Sequence, residues 1–438
     1  MKVHFTSLGC AKNLIDSEQM LALIRSAGHE ITADPAQADA AVVNTCAFIE
    51  AAQQEAIDAI LELAELKKTG SLKRLVVTGC LPQRYQGDIL KELPEIDAVL
   101  GTGSFPQIVA ALESPEVHMR RFADRNAPLP ELDRTVTTGP GWAYIKIADG
   151  CDNHCAYCVI PSIRGRYRSR PMDAILAEAK SLAEGGVKEL ILVAQDVTAY
   201  GRDFRDGTTL AALLGELAKI RGIEWIRLHY LYPNEITDEL IDLIAAEPKI
   251  VKYLDIPIQH VNNAILRRMR RPETGAGIRA LFQKLRERIP GLVLRTSLIV
   301  GLPGEGEAEF AQLMDFLREQ RLPRAGVFVF SPQEGTAAAQ MPDRCTTEQA
   351  QARQRTVMDL QNAIMDEFDR SRIGGVLCVL CEGLGEDGRW TGRSWADSPD
   401  VDEQVLFTGD AVPGQFATVR IDALEDGCLI GHIEENSK

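Results

Sequence analysis

Three cysteines within eight residues, Cys151-x-x-x-Cys155-x-x-Cys158, constrain this chain more than any other feature. Thiolates this close converge on one metal centre if the backbone loops around it. Soft sulfur ligands at such spacing select zinc or an iron–sulfur cluster. A structural zinc site takes four protein ligands. The nearest further donor, His154, sits between the first two cysteines and is poorly placed to share their metal. Three ligands leave one iron of a 4Fe–4S cluster open, and an open position is where chemistry happens. The plainer alternative is three buried or incidental cysteines. Residues 143–147 directly before the triplet read as a strand, which places it at a strand's C-terminal end, the face where βα barrels keep their sites.

The pattern around that strand defines the fold class, α/β throughout most of the chain. Candidate strands at 143–147, 189–194, 225–229, 253–256, 293–300 and 326–330 alternate with helical stretches. They predict a central βα barrel of the TIM type, complete or open, over 142–372, closed by a long helix at 346–372. Residues 1–112 alternate in the same way and predict a parallel-sheet α/β domain, with strands at 2–8, 40–44, 75–78 and 98–100. Between them, 113–141 is punctuated by Pro115, Pro128, Pro130 and Pro140 and reads as a linker or wrapping segment. Residues 373–438 carry short β-type runs between Gly/Asp turns, at 376–381, 404–407, 416–421 and 428–433, and predict a small β-barrel.

A second set of thiols emerges from that organisation. Cys10, Cys46 and Cys80 are too far apart for a local motif, yet each follows a candidate N-terminal strand by one or two residues. In a parallel sheet those ends share one edge, where ligand crevices form. Gly9 and Gly79 precede two of them and permit tight turns. Chance placement of three buried cysteines is the alternative. Cys378-x-x-Cys381 lies in a candidate strand, where residues three apart face opposite ways, so core packing is expected rather than redox chemistry. Cys345 and Cys428 are isolated.

No apolar run approaches the roughly 18–20 residues that cross a bilayer, and no apolar segment follows Lys2 as in a secretory signal. A cytoplasmic protein is expected, in which ten cysteines serve metals, catalysis or burial rather than disulfides. The net charge of −15 argues against nucleic acid as the primary substrate. The excess is concentrated at the end: residues 374–438 hold 13 Asp/Glu and four Arg/Lys. Such a module attracts a basic partner.

The triplet on a βα barrel, with Tyr157 at the aromatic position before its last cysteine, resembles the signature of radical S-adenosylmethionine (SAM) enzymes. Gly9-Cys10-Ala11-Lys12-Asn13, Asn44-Thr45-Cys46 and Gly79-Cys80 resemble the upstream cysteines of the methylthiotransferases within that superfamily, and the acidic tail resembles their TRAM domain. The resemblance spans nearly the whole chain. The stretch from Cys10 to Glu18 is similar to the branch that modifies an aspartate on small-subunit ribosomal protein twelve. The transfer-RNA branch typically carries Gln-Met-Asn after its first cysteine. One departure is Gly306 in Gly301-Leu302-Pro303-Gly304-Glu305-Gly306-Glu307, where Thr is usual; an altered helix start is the expected consequence.

The resemblance implies two 4Fe–4S clusters and SAM. One cluster would sit on Cys151, Cys155 and Cys158, with SAM chelating its open iron; reduction would yield a radical able to open the unactivated β-carbon C–H bond of an aspartate. The other, on Cys10, Cys46 and Cys80, would hold the sulfur to be methylated and transferred. The implied partners are the basic ribosomal protein, free or in the ribosome, and an electron donor, with the enzyme a monomer. Polar residues at strand ends are candidates for the SAM site: Gln195 and Asp196, Gln259 and His260, and Arg295 and Ser297. Arg295 is the candidate for neutralising the SAM carboxylate. The run Arg164, Arg166, Arg168 and Arg170 is expected to serve cluster and substrate electrostatics, with a solvated loop as the alternative. A transfer-RNA methylthiotransferase, a non-catalytic iron–sulfur protein and a zinc protein are the competing functions.

Overall fold

The computed structural model describes residues 1–434. The chain divides into two compact units. The first comprises residues 1–137, 146–170 and 331–339. Its sheet contains β1 (Lys2–Ser7), β2 (Glu30–Thr32), β3 (Ala40–Thr45), β4 (Arg74–Gly79), β5 (Ala98–Leu100) and β6 (Met119–Arg121), in spatial order β2-β1-β3-β4-β5-β6. Every pairing is parallel. Alternate residues feed two cores, as the two-residue period of a strand requires. Ala41, Val43, Leu75 and Val77 pack with Ile60 and Leu63 of the helix Glu50–Lys68. Ala40, Val42 and Val76 pack with Met20 and Ile24 of α1 (Ala11–Ser26).

Besides the short strand β2, which the sequence pattern does not show, three details depart from that pattern. The stretch expected as a linker supplies the sixth strand, β6, and then wraps α1: Glu18 accepts hydrogen bonds from Arg134 Nη1 (2.7 Å) and the Thr137 amide (2.6 Å). Its three-residue strand is too short to show a period. The helix expected near 83–93 is two pieces, Cys80–Tyr85 and Ile89–Glu92, broken around Gly87. On α1 the polar side chains of Asn13, Asp16, Ser17 and Glu18 are buried along with the apolar ones, so a polar core underlies what reads as an ordinary amphipathic helix.

The chain continues through β7 (Trp142–Lys146) into residues 146–170, where β8 (Ala148–Asp149) pairs antiparallel with β9 (Arg168–Ser169). The second unit comprises 138–145, 171–330 and, among the described residues, 340–434. Its large sheet adds β10 (Glu189–Val193), β11 (Trp225–Leu228), β12 (Ile250–Asp255), β13 (Val293–Val300) and β14 (Arg324–Val329), in order β14-β13-β12-β11-β10-β7. Six strands in sequential order form an open βα barrel. Three of the intervening helices begin at a threonine whose hydroxyl accepts from an amide of the first turn: Thr209 from Ala212, Thr237 from Leu240 and Thr274 from Gly277. Gly306 precedes the helix Glu307–Gln320, and its amide donates to Glu309 Oε2 (3.0 Å), so that helix start is held without a Thr hydroxyl.

The tail closes into a five-stranded barrel of β15 (Val376–Leu384), β16 (Trp390–Arg393), β17 (Val405–Thr408), β18 (Phe416–Glu425) and β19 (Cys428–Ile433). The short strand β16 carries only one apolar residue, Trp390, which is why the pattern omits it. Cys381 is fully buried in this barrel and Cys378 is exposed, on opposite faces.

Part of the tail's acid points inward. Asp397 accepts from Arg324 Nη2 (2.8 Å), and Asp369, at the end of the helix Thr347–Arg370, accepts from both Arg324 Nη atoms (3.1 and 3.0 Å). Arg393 joins Glu382 (2.6 Å) and Glu189 (2.8 Å). Arg372 and Arg324 hold the Asp397 carboxyl far below the usual range, although burial alone would raise it. Removing one partner of a buried ion pair leaves an uncompensated charge. Arg324→Ala is therefore expected to destabilise the second unit by about 3–5 kcal/mol. Urea unfolding should show this as a lower midpoint at unchanged slope; an unchanged midpoint would show the network to be energetically neutral.

Candidate metal centres

The parallel register brings the scattered thiols level. Ser7 pairs with Asn44, Asn44 with Thr78, and Thr45 with Gly79. Cys10, Cys46 and Cys80 each lie just past the C-terminal ends of three adjacent strands. Two glycines make the approach sterically feasible. Gly9 and Gly79 have φ near +93° and +97°, a region costly for other residues. A Cβ on Gly9 would stand 2.9 Å from Cys46 Cβ, and one on Gly79 would stand 2.4 Å from Asn44 Oδ1.

Behind the trio lies a hydrogen-bonded scaffold. Asn44 Nδ2 donates to the Asn13 carbonyl (2.9 Å) and Ser17 Oγ (2.8 Å). Asn13 Nδ2 donates to the Leu8 carbonyl (2.6 Å), and Thr45 Oγ1 to the Thr78 carbonyl (2.6 Å). These bonds tie the turn after β1 to the ends of β3 and β4.

The triplet lies in the loop after β8. Cys151 is buried, and Cys155, Tyr157 and Cys158 are half-buried. The loop is braced internally: the Cys151 amide donates to the Gly165 carbonyl (3.2 Å), the Cys158 amide to the Cys155 carbonyl (3.1 Å), and the Ile160 amide to Cys158 Sγ (3.4 Å).

Joining the flanks of the two cysteine sets is Arg164, at the end of the helix Ile160–Arg164. Its Nη1 donates to Asp16 Oδ2 (2.8 Å) and Asp149 Oδ2 (3.0 Å); its Nη2 donates to Asn13 Oδ1 (3.2 Å) and Cys80 Sγ (3.7 Å). Lys146 Nζ also reaches Asp16, at 2.5 Å. All four charged groups are buried. The other arginines of the run do different work. Arg166 pairs with exposed Asp152, Arg168 donates to the Ala127 and Arg164 carbonyls, and Arg170 pairs with Glu131 and the Lys146 carbonyl. Sequence reasoning named Arg164 only as one of four, quoted Asn13 and Asp16 only as part of the stretch around Cys10, and did not single out Lys146 or Asp149. The available signal was the clustering of polar residues around Cys10 on a helix otherwise built for a core.

Electrostatics sort the thiols. Burial pushes Cys80 up to about 12, against the pull of Arg164, and pushes Cys158 up to about 12. Burial also raises Cys46, as does the nearby Cys10. Cys10, which is exposed, shifts the other way: desolvation opposes ionisation, but Lys12, Arg164 and the Asn13 and Lys12 amides outweigh it. Thiolate, not thiol, is the nucleophile and metal ligand. In cluster-free protein at neutral pH, limiting iodoacetamide is therefore expected to label Cys10 well before Cys80 or Cys158, as read by peptide mass spectrometry. Early labelling of Cys80 would refute this order. The raised thiols Cys46, Cys80 and Cys158 must lose protons to bind metal, so metal loading releases protons and improves as pH rises.

Among the described residues no three His, Cys, Asp or Glu side chains close around a single ion. The donor sets themselves, two trios of soft sulfur with like-charge coupling inside each, fit iron–sulfur clusters.

The strand-end candidates lie in the second unit, and Tyr157 of the triplet loop in the first. Asp196 is capped by Thr198 (2.5 Å). Arg295, mostly buried, donates to Asp255 Oδ1 (2.7 Å), and that carboxylate raises it further above its ordinary value against the effect of burial. His260 faces Glu305 at 3.5 Å, both buried. The Gln259 amide accompanies β13 by donating to the Ser297 carbonyl (2.9 Å). Gln195 is half-buried just past β10.

A parallel sheet with three thiols past one end, a three-cysteine loop and an open βα barrel are the parts expected of a radical SAM transferase, and the comparisons bear that class out. Family models match in the same order: the uncharacterized protein family UPF0004 over residues 2–101, the radical SAM superfamily over 145–317 and the TRAM domain over 373–433. Curated relatives are similar over their whole length. Those called "Ribosomal protein uS12 methylthiotransferase RimO" are 48% identical in Lachnoclostridium phytofermentans (99% of this chain, 100% of the relative), and 47% in both Pelobacter propionicus (100% and 98%) and Geobacter sulfurreducens (99% and 98%). The chain belongs to this family, the RimO methylthiotransferases. Among solved structures, the radical SAM methyltransferase TsrM from Kitasatospora setae superposes with a TM-score of 0.58 at 15% identity over 77% of this chain and 76% of that one. The cobalamin-dependent enzyme OxsB gives 0.52 at 12% identity over 84% and 56%. At these identities the likeness concerns the fold alone. No helix among the described residues is long and apolar enough to cross a membrane.

Proposed function

We propose that this enzyme adds a methylthio group to the β-carbon of an aspartate on ribosomal protein uS12, using SAM and two 4Fe–4S clusters. The observation that carries this reading is the sorting of six cysteines into two trios, in a chain that matches uS12 methylthiotransferases end to end. Cys151, Cys155 and Cys158 would hold the cluster that takes SAM, and Cys10, Cys46 and Cys80 the cluster that takes the sulfur. When bound, such a cluster supplies one electron to SAM, and a radical is what an unactivated C–H bond requires.

The chain's own residues do the rest. Each trio would supply three sulfur ligands to its cluster, leaving one corner for a guest. Tyr157, Gln195 and Arg295 are assigned to the SAM site. Asp255 fixes one end of the Arg295 guanidinium, leaving its other donors for the SAM carboxylate. Outside, Asp387, Glu403, Asp410, Asp422 and Asp426 remain exposed on the tail barrel, a field that favours a basic ribosomal protein over an RNA hairpin. The protein acts in the cytoplasm as a monomer, with electrons from an external donor.

The test is direct: reduced enzyme and SAM are offered uS12 and unmodified transfer RNA side by side. The expected product is methylthio-aspartate on uS12, read by mass spectrometry. Modification of the RNA alone would overturn the reading.

A further inference from the structure

We propose that Arg164 is a positioning residue for the second thiol trio: its N–H bond to Cys80 raises the reduction potential of the cluster held there, and its fork locks that trio to the loop bearing the triplet. This rests on the reading that Cys10, Cys46 and Cys80 hold a cluster.

One guanidinium touches the flanks of both cysteine sets. Arg164 follows Cys158 by six residues, and its partner Asp149 precedes Cys151 by two. Its partners Asn13 and Asp16 follow Cys10 on α1, and Cys80 is reached at the sulfur itself. The side chain is 2% exposed, so neither water nor salt screens it effectively. Asp16 and Asp149 balance Lys146 and Arg164 in charge. The group is therefore neutral as a unit, and what reaches the sulfur is an oriented donor. Hydrogen bonds to ligand sulfur are one of the means by which a protein sets cluster potential. Reduction adds negative charge, and a donor aimed at sulfur stabilises it. Arg is suited to this place because its planar fork serves several acceptors at once, which a Lys ammonium does not.

The experiment uses full-length protein with Cys151, Cys155 and Cys158 replaced by Ala, so that only the second cluster is assembled. Its potential is followed by electron paramagnetic resonance during anaerobic titration. Arg164→Met combined with Asp149→Asn removes the donor without leaving a bare carboxylate. It is expected to bias the reduction equilibrium about tenfold toward the oxidised cluster, a shift of about 59 mV to more negative potential for one electron. Arg164→Lys is expected to shift it in the same direction by less, and it carries the test if circular dichroism shows the double variant unfolded. Unchanged potentials in the folded variants would overturn the proposal. A background protein that binds no iron would instead remove the underlying reading, and this inference with it, and the two failures are told apart by the iron content before titration.

Discussion

Cys151→Ala is expected to abolish reductive cleavage of SAM, with 5′-deoxyadenosine falling to background in a protein that remains folded. Two observations separate loss of chemistry from loss of fold. The loop after β8 is held by backbone bonds, Cys151 to Gly165 and Cys158 to Cys155, which an alanine keeps. The polar framework of Arg164, Asp149 and Asp16 is joined by side chains that the substitution leaves in place. With two thiolates in place of three, the cluster that chelates SAM loses its anchor. Deoxyadenosine is measured by chromatography after reduction, and circular dichroism checks the fold. Continued cleavage would show that SAM is activated elsewhere.

Cys46→Ala is expected to give the complementary result: deoxyadenosine still forms, but methylthio product on uS12 disappears. Cys46 stands at the end of β3, level with Cys80 at the end of β4, and its Cβ meets the turn at Gly9. The change removes one ligand of the scattered trio and leaves every bond of the triplet loop intact. The split between cleavage and sulfur transfer is what distinguishes two centres with separate tasks from one centre with six ligands nearby. Product at the wild-type level would take the scattered trio out of the reaction.

Much of this site was legible in the sequence because cysteine spacing and strand ends are local signals. The triplet needs only eight residues, and the scattered trio needs only the rule that parallel strands end on one edge. Arg164 was not legible as a single residue. Its importance comes from contacts with Asn13, Asp16 and Cys80, separated from it by 84 to 151 positions, and no periodicity encodes such a distance. β6 and β16 escaped for another reason: strands of three and four residues with charged or single apolar side chains carry too little alternation to read. The tail's acid was legible in amount but not in direction. Asp397, Asp402 and Glu382 meet arginines, so the outward field is weaker than composition suggests.

Iron and labile sulfide counts on anaerobically reconstituted protein test the account most directly. Two centres predict about eight of each per chain, falling to about four when either cysteine trio is replaced by alanine. About four in the intact protein, unchanged when Cys10, Cys46 and Cys80 are removed together, would contradict it.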